Sequence, residues 1–105
     1  MRSSLILFLL LGLATFAARA DDSVTVNDMT QLNWQMDPAG KVWIWNLNSF
    51  DSSFLPCCYK YYIDTTTDLG KTQWTAVLAH TFTGTRLTFY VANKTQVGPI
   101  TYLMN

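Results

Sequence analysis

The chain has only two cysteines, Cys57 and Cys58, and they are neighbours. Their residue type and spacing limit the chemistry that they could perform. A structural zinc site is built from four ligands at spaced positions, so this pair does not match one. A catalytic cysteine needs a base to activate it, and the one histidine of the sequence is His80. The pair therefore predicts a disulfide rather than a metal centre or a nucleophile.

Three states of the cysteine pair are open: free thiols, two bonds between chains that tie a dimer, and one bond between the neighbours. Exported cysteines are usually oxidised, which disfavours free thiols, and we favour the bond between Cys57 and Cys58. Such a bond closes a loop of almost no length, so it removes little entropy from the unfolded chain. Its expected effect is local: a rigid turn beside Tyr59 that either contacts a ligand or only shapes the fold.

An apolar platform at this turn is expected to pack against the non-polar face of a sugar. Two phenylalanines, Phe50 and Phe54, are expected to be exposed there, because they lie in a polar loop from Asn48 to Pro56. The predicted ligand-binding residues are Phe54, Cys57, Cys58 and Tyr59. Two tryptophans share one face of a strand, and we interpret Trp43 and Trp45 as core or subunit interface rather than as a ligand platform.

Enzymatic chemistry is not predicted, and neither is a cofactor or a metal site. An enzyme needs an acid, base, nucleophile or metal held in a pocket, and glycoside hydrolysis in particular needs a carboxylate pair. The sequence has no glutamate, and its aspartates lie mostly in predicted turns and near residue 21. His80 has no acidic residue three or four positions away, so we interpret it as a surface or partly packed residue.

The first 20 residues have the three parts of a secretory signal peptide: Arg2, an apolar run from Leu5 to Phe16, and a small-x-small sequence at 18–20. The run is shorter than the roughly 20 residues of a membrane-spanning helix. We therefore predict a secreted protein, extracellular or periplasmic, with one domain at 21–105 and no membrane insertion. That segment has five basic and seven acidic residues, which argues against nucleic acid as a partner.

The domain is expected to contain three strands, one helix and two further strands. Strands are predicted within 23–36 and at 41–47, 59–64, 86–92 and 100–104, with a turn at 37–40 joining the first two as a hairpin. The helix is predicted from about Asp68 to Thr83, capped by Thr66 or Thr67 and ended by Gly84. One apolar stripe of that helix is formed by Trp74, Val77, Leu78 and Phe82.

This element order predicts an α+β, mainly β fold: a small OB-like, partly open five-stranded barrel with the helix between strands three and four. The segment from Lys60 to Asn105 resembles the B subunits of bacterial toxin pentamers, in particular the subtilase-cytotoxin and pertussis-like branch. The shared pattern is a strand, a helix of small and apolar residues containing Lys71, Gly84 just before a strand, and a short terminal strand. The resemblance implies the same fold, ring-forming self-association and a bias towards glycan binding.

A secreted, non-enzymatic binding module is therefore the predicted function, self-associating as a homo-oligomer and recognising a glycan or a cell-surface receptor. The alternative is a protein-interaction subunit, or an inhibitor of another exported protein, that uses the Trp43 and Trp45 face as its contact.

Overall fold

A computed structural model describes residues 21–105, so the predicted signal peptide lies outside the described residues. The described chain forms an α+β fold that is mainly sheet, as predicted. In chain order its elements are β1 (Asp22–Val26), a 3-10 helix (Met29–Gln31), β2 (Trp34–Met36), β3 (Lys41–Ile44), a 3-10 helix (Leu47–Ser49), β4 (Tyr61–Asp64), α1 (Asp68–Thr83), β5 (Leu87–Val91) and β6 (Gly98–Met104). Within residues 21–105, no helix has the length and apolar character needed to cross a membrane.

The six strands form one mixed, open sheet in the order β1-β5-β6-β4-β3-β2. The pairing of β4 with β6 is parallel, and the other neighbours are antiparallel. The predicted five-stranded barrel is not confirmed, because the segment expected to be one first strand forms β1 and β2 at opposite edges. Asp28 interrupts it: its carboxylate accepts the N–H of Thr30 at 3.0 Å and caps a 3-10 turn that buries Met29.

The predicted hairpin is confirmed for β2 and β3. Its turn is held by Asp37, whose N–H donates to the carbonyl of Lys41 at 2.8 Å and whose carboxylate accepts the N–H groups of Ala39 and Lys41. Gly40 has a φ of 89°, a left-handed conformation that glycine adopts at little cost. The turn therefore fixes where β3 starts and which of its residues face the core.

The helix α1 has the predicted limits. Thr67 caps its start, since its side chain accepts the N–H of Gly70 at 2.9 Å, and Gly84 ends it with a φ of 67°. The predicted apolar stripe is only partly correct: Val77 is buried, but Phe82 is 94% exposed. Phe82 lies five residues after Val77, which is about 140° around a helix of 3.6 residues per turn, and so it points away from the sheet.

The hydrophobic core lies between α1 and one face of the sheet, here called the inner face. Strand side chains alternate between faces, so every second residue of the central strands is buried there. The buried strand residues on this face are Val42 and Ile44 of β3, Tyr61 and Ile63 of β4, and Leu87, Phe89 and Val91 of β5. The residues between them, among them Trp43 of β3 and Tyr62 of β4, lie on the opposite, outer face.

Candidate functional site

Four aromatic side chains form a cluster on the outer face, here called the outer-face cluster: Trp43, Trp45, Tyr59 and Tyr62. The cluster starts from β3, which buries its even-numbered residues and so turns Trp43 outwards. In the antiparallel register Trp43 is opposite Tyr62 of β4, and their ring centroids are 5.1 Å apart. Two adjacent strands therefore supply the floor of the site.

Tyr59 covers this floor from the loop that precedes β4. Its ring packs edge-on against Trp43 and Trp45, with centroid distances of 5.6 and 6.2 Å. Edge-to-face packing is a favoured arrangement of aromatic rings. The hydroxyl of Tyr59 donates to the side-chain oxygen of Gln35 at 2.7 Å, yet the residue is 55% exposed. Tyr59 is thus both held in position and accessible from solvent.

Three polar side chains border the cluster: Gln35, Asp37 and Lys41. The indole N–H of Trp43 donates to the carboxylate of Asp37 at 3.1 Å. This bond, together with the backbone N–H of Lys41, lowers the pKa of Asp37 below its ordinary value of 3.8. The ammonium of Lys41 lies 4.6 Å from the centroid of the Tyr62 ring, which is within cation–π distance. The site thus combines an aromatic surface with an amide, a carboxylate and an ammonium group.

The two cysteines are bonded to each other, which confirms the predicted vicinal disulfide. Cys57 is exposed, Cys58 is half-buried, and the peptide bond between them is cis. The pair directly precedes Tyr59 in the chain. The disulfide therefore lies at the entry to the outer-face cluster.

The loop that carries the disulfide is anchored by Tyr61, the first residue of β4. The side chain is buried, and its hydroxyl accepts the N–H of Leu55 at 2.8 Å and donates to the carbonyl of Lys94. Burial raises the pKa of this hydroxyl, which therefore stays protonated as a donor. A strand over the predicted range 59–64 would place Tyr59 and Tyr61 on one face. The strand begins only at Tyr61, so the two rings lie on opposite faces.

The predicted ligand residues are only partly brought together. Cys57, Cys58 and Tyr59 lie side by side at the surface, whereas Phe54 is 3% exposed and packs in the core against Tyr61 at a centroid distance of 5.5 Å. Phe50 is half-buried and also packs against the core. The expectation of exposed rings at Phe50 and Phe54 is therefore wrong, because a polar loop sequence does not show that the loop folds inwards.

Trp43 and Trp45 are half-buried and contact Tyr59. Their role as a subunit interface stays a prediction. Sequence reasoning missed the bordering residues and Tyr62. The alternation of Lys41 with Trp43 is the signal that would have placed the lysine on the same face.

Within residues 21–105, no group of three or more histidine, cysteine or acidic side chains is placed to hold a metal ion. No family model, curated protein or solved structure matches the chain. The toxin B-subunit resemblance therefore stays a prediction, and the function has to be inferred from the geometry of the outer-face cluster.

Proposed function

We propose that the protein is a secreted, non-enzymatic carbohydrate-binding module whose ligand site is the outer-face cluster. The observation that carries the proposal is the position of Tyr59, which is 55% exposed although two tryptophans and Gln35 hold it in place. A large aromatic ring that is fixed and still accessible provides an apolar surface for the C–H face of a sugar. Its edge-on contacts with Trp43 and Trp45 leave the ring little freedom to move away from a ligand.

The polar border of the cluster suits the hydroxyl groups of a sugar. Binding sites for small molecules are mostly apolar, with a few polar groups that fix the orientation of the ligand. Asp37 remains a carboxylate at neutral pH and is a hydrogen-bond acceptor, while the ammonium of Lys41 is a donor. A sugar stacked on Tyr59 would therefore meet both kinds of partner at the border of the same aromatic surface.

The site is also largely preformed, which lowers the entropy lost on binding. Three features fix it before any ligand arrives: the Trp43 hydrogen bond to Asp37, the Tyr59 hydrogen bond to Gln35, and the disulfide next to Tyr59. Each of these features restricts a side chain that would otherwise have to become ordered on binding. The cluster therefore needs little rearrangement to accept a rigid, weakly apolar ligand.

A glycan array followed by calorimetric titration of the best-bound glycan tests the proposal. Tyr59→Ala is expected to weaken binding at least about tenfold, the equivalent of about 1.4 kcal/mol. Tyr59→Phe keeps the ring and is expected to stay within about threefold of wild type, since only the bond to Gln35 is lost. Tyr102→Ala, which changes an exposed tyrosine outside the cluster, is the matched control and is expected to bind as wild type.

Two results would count against the proposal. The first is a native protein that binds no glycan on a broad array. The second is a Tyr59→Ala variant that binds the selected glycan as tightly as the wild type and the Tyr102→Ala control.

A further inference from the structure

The strand β2 presents unpaired backbone groups at one edge of the sheet. On the side of β2 that faces β3, the N–H of Trp45 donates to the carbonyl of Asn33 and the N–H of Asp37 donates to the carbonyl of Lys41, each at 2.8 Å. Residues of an antiparallel strand face their partner alternately, so Asn33, Gln35 and Asp37 face β3. Trp34 and Met36 consequently direct their N–H and C=O groups away from β3, and within residues 21–105 no strand pairs with β2 on that side.

This edge lacks three of the features that prevent strands from pairing, although β2 is short, with three residues. Edge strands are commonly protected by charged residues, proline or a bulge, and β2 has the sequence Trp34-Gln35-Met36. Its two apolar side chains are 41% and 46% exposed, respectively. The other edge strand, β1, begins with Asp22 and has polar, exposed residues between its buried valines. Of the two edges, β2 is therefore the one suited to pairing with another chain.

We propose that β2 pairs antiparallel with β2 of a second copy of this chain, around a two-fold axis at Gln35. In this register Trp34 of each copy is opposite Met36 of the other, so the outward backbone groups of both residues find partners. A shift by two residues would place Leu32 or Pro38 at one of these positions. Proline has no N–H to donate, and the N–H of Leu32 already donates to the carbonyl of Met29 at 3.2 Å. The register centred on Gln35 is the one that satisfies the free groups of both Trp34 and Met36.

The side chains of this pairing are also self-complementary. Opposite residues of a sheet project to the same face, so the exposed Trp34 ring of one copy packs beside the exposed Met36 of the other. At the next position Asp37 is opposite Asn33, an amide rather than a second carboxylate. The pairing gives partners to the free backbone groups of both copies and places no like charges opposite each other. For these reasons we assign the edge to a second copy of this chain.

The pairing joins two six-stranded sheets into one continuous sheet with both outer-face clusters on the same side. Two sugar sites on one surface would increase binding to a multivalent glycan without any new contact to the sugar. The inference does not depend on the proposed function, since it follows from the edge of the sheet alone.

Light scattering between about 10 µM and 1 mM protein tests the pairing, since a small interface is expected to be weak. The mass is expected to rise from that of a monomer towards twice that value. Gln35→Lys and Gln35→Glu each place like charges directly opposite at the axis and are expected to weaken the dimer at least about tenfold. An equimolar mixture of the two variants is expected to restore it. Ser23→Lys, on the β1 edge, is the matched control and is expected to associate as wild type.

A backbone variant tests the edge without a charge. Met36→Pro removes an N–H that points away from β3, and proline is tolerated at such positions of edge strands. The variant is expected to weaken the dimer while the hairpin with β3 remains.

Gln35→Cys tests the register directly, because non-hydrogen-bonded partners have Cα atoms about 4.5 Å apart, within disulfide range. This variant is expected to form a covalent dimer on oxidation, and Ser23→Cys is not. A monomeric mass up to 1 mM, or charge variants that associate like the wild type, would overturn the pairing. Glycan binding by a wild-type protein that stays monomeric would leave the proposed function standing.

Discussion

Replacing Tyr61 by phenylalanine is expected to destabilise the protein, because one hydroxyl joins two loops to β4. The residue is 1% exposed, and its hydroxyl bonds the N–H of Leu55 at 2.8 Å and the carbonyl of Lys94. An intramolecular hydrogen bond contributes about 0.5–1.5 kcal/mol, and a buried group without a partner costs about 1–3 kcal/mol. Both partners lie in half-buried loops, so we expect a loss of about 2 kcal/mol in the free energy of unfolding.

Urea and thermal unfolding measure this loss. For a domain of this size, about 2 kcal/mol corresponds to a fall of about 8–16 °C in Tm. The slope of the urea transition is expected to stay unchanged, since the exposed area differs little. Tyr102→Phe is the matched control, because that tyrosine is exposed, and it is expected to change stability by less than about 0.5 kcal/mol.

The same variant links stability to the site. Leu55 precedes the disulfide, so loss of its bond to Tyr61 is expected to loosen the loop and to weaken glycan binding as well. A Tyr61→Phe protein whose free energy of unfolding is within about 0.5 kcal/mol of the wild-type value would refute the reasoning, because the hydroxyl would then not be the anchor of the loop.

Three further predictions concern the disulfide, the carboxylate and the helix. Cys57→Ser/Cys58→Ser is expected to lower the free energy of unfolding by less than about 1 kcal/mol in urea titrations, yet to weaken glycan binding; a large stability loss would contradict the local role. Because the pKa of Asp37 is lowered, its bond to Trp43 is present above pH 3.8 and is lost as the pH falls through the lowered pKa. Tryptophan fluorescence is therefore expected to stay constant down to about pH 4 and to change below it. A transition near pH 6 would exclude Asp37 as the cause. Gly70→Ala is expected to lower the free energy of unfolding by about 1–3 kcal/mol or more, since a Cβ there would lie 1.7 Å from the Asp64 carbonyl oxygen. Gly98→Ala, with no atom within 4 Å of the added Cβ, is expected to have little effect in the same thermal assay. Equal effects of the two variants would contradict this account.

Local signals in the sequence were sufficient to predict the helix and the hairpin. The limits of α1 follow from Thr67 and Gly84, because a capping hydroxyl and a left-handed glycine act within one turn of the chain. The turn from Asp37 to Gly40 similarly determines the pairing of β2 with β3. Each of these features depends on residues that are close together in sequence.

Long-range pairing could not be predicted in the same way. The segment from 23 to 36 reads as one extended stretch, but β1 pairs with β5 and β2 pairs with β3. These pairings join residues distant in the chain, and a periodic pattern does not identify a partner strand. The helix shows the same limit, since Gln73 rather than Phe82 is buried and donates to the carbonyl of Ile100 at 3.3 Å.

The candidate site could be predicted only in part, because it combines residues adjacent in sequence with residues brought together by strand pairing. Cys57, Cys58 and Tyr59 could be chosen from their adjacency, and the disulfide is confirmed. The residues that complete the cluster come from β2, β3 and β4, and only the register of these strands places Gln35 and Tyr62 beside Trp43. Sequence reasoning therefore found the loop of the site and the shared face of Trp43 and Trp45, but not Tyr62 or the polar border.

The most direct test of the central claim is an NMR titration that follows the four tryptophan indole N–H signals during addition of the best-bound glycan. Trp43 and Trp45 belong to the outer-face cluster, whereas Trp34 and Trp74 contact each other on the inner side of the sheet, at a centroid distance of 4.7 Å. We predict that the signals of Trp43 and Trp45 shift with added glycan while those of Trp34 and Trp74 stay in place. Shifts confined to Trp34 and Trp74, or no indole shift at saturating glycan, would contradict the assignment of the binding site.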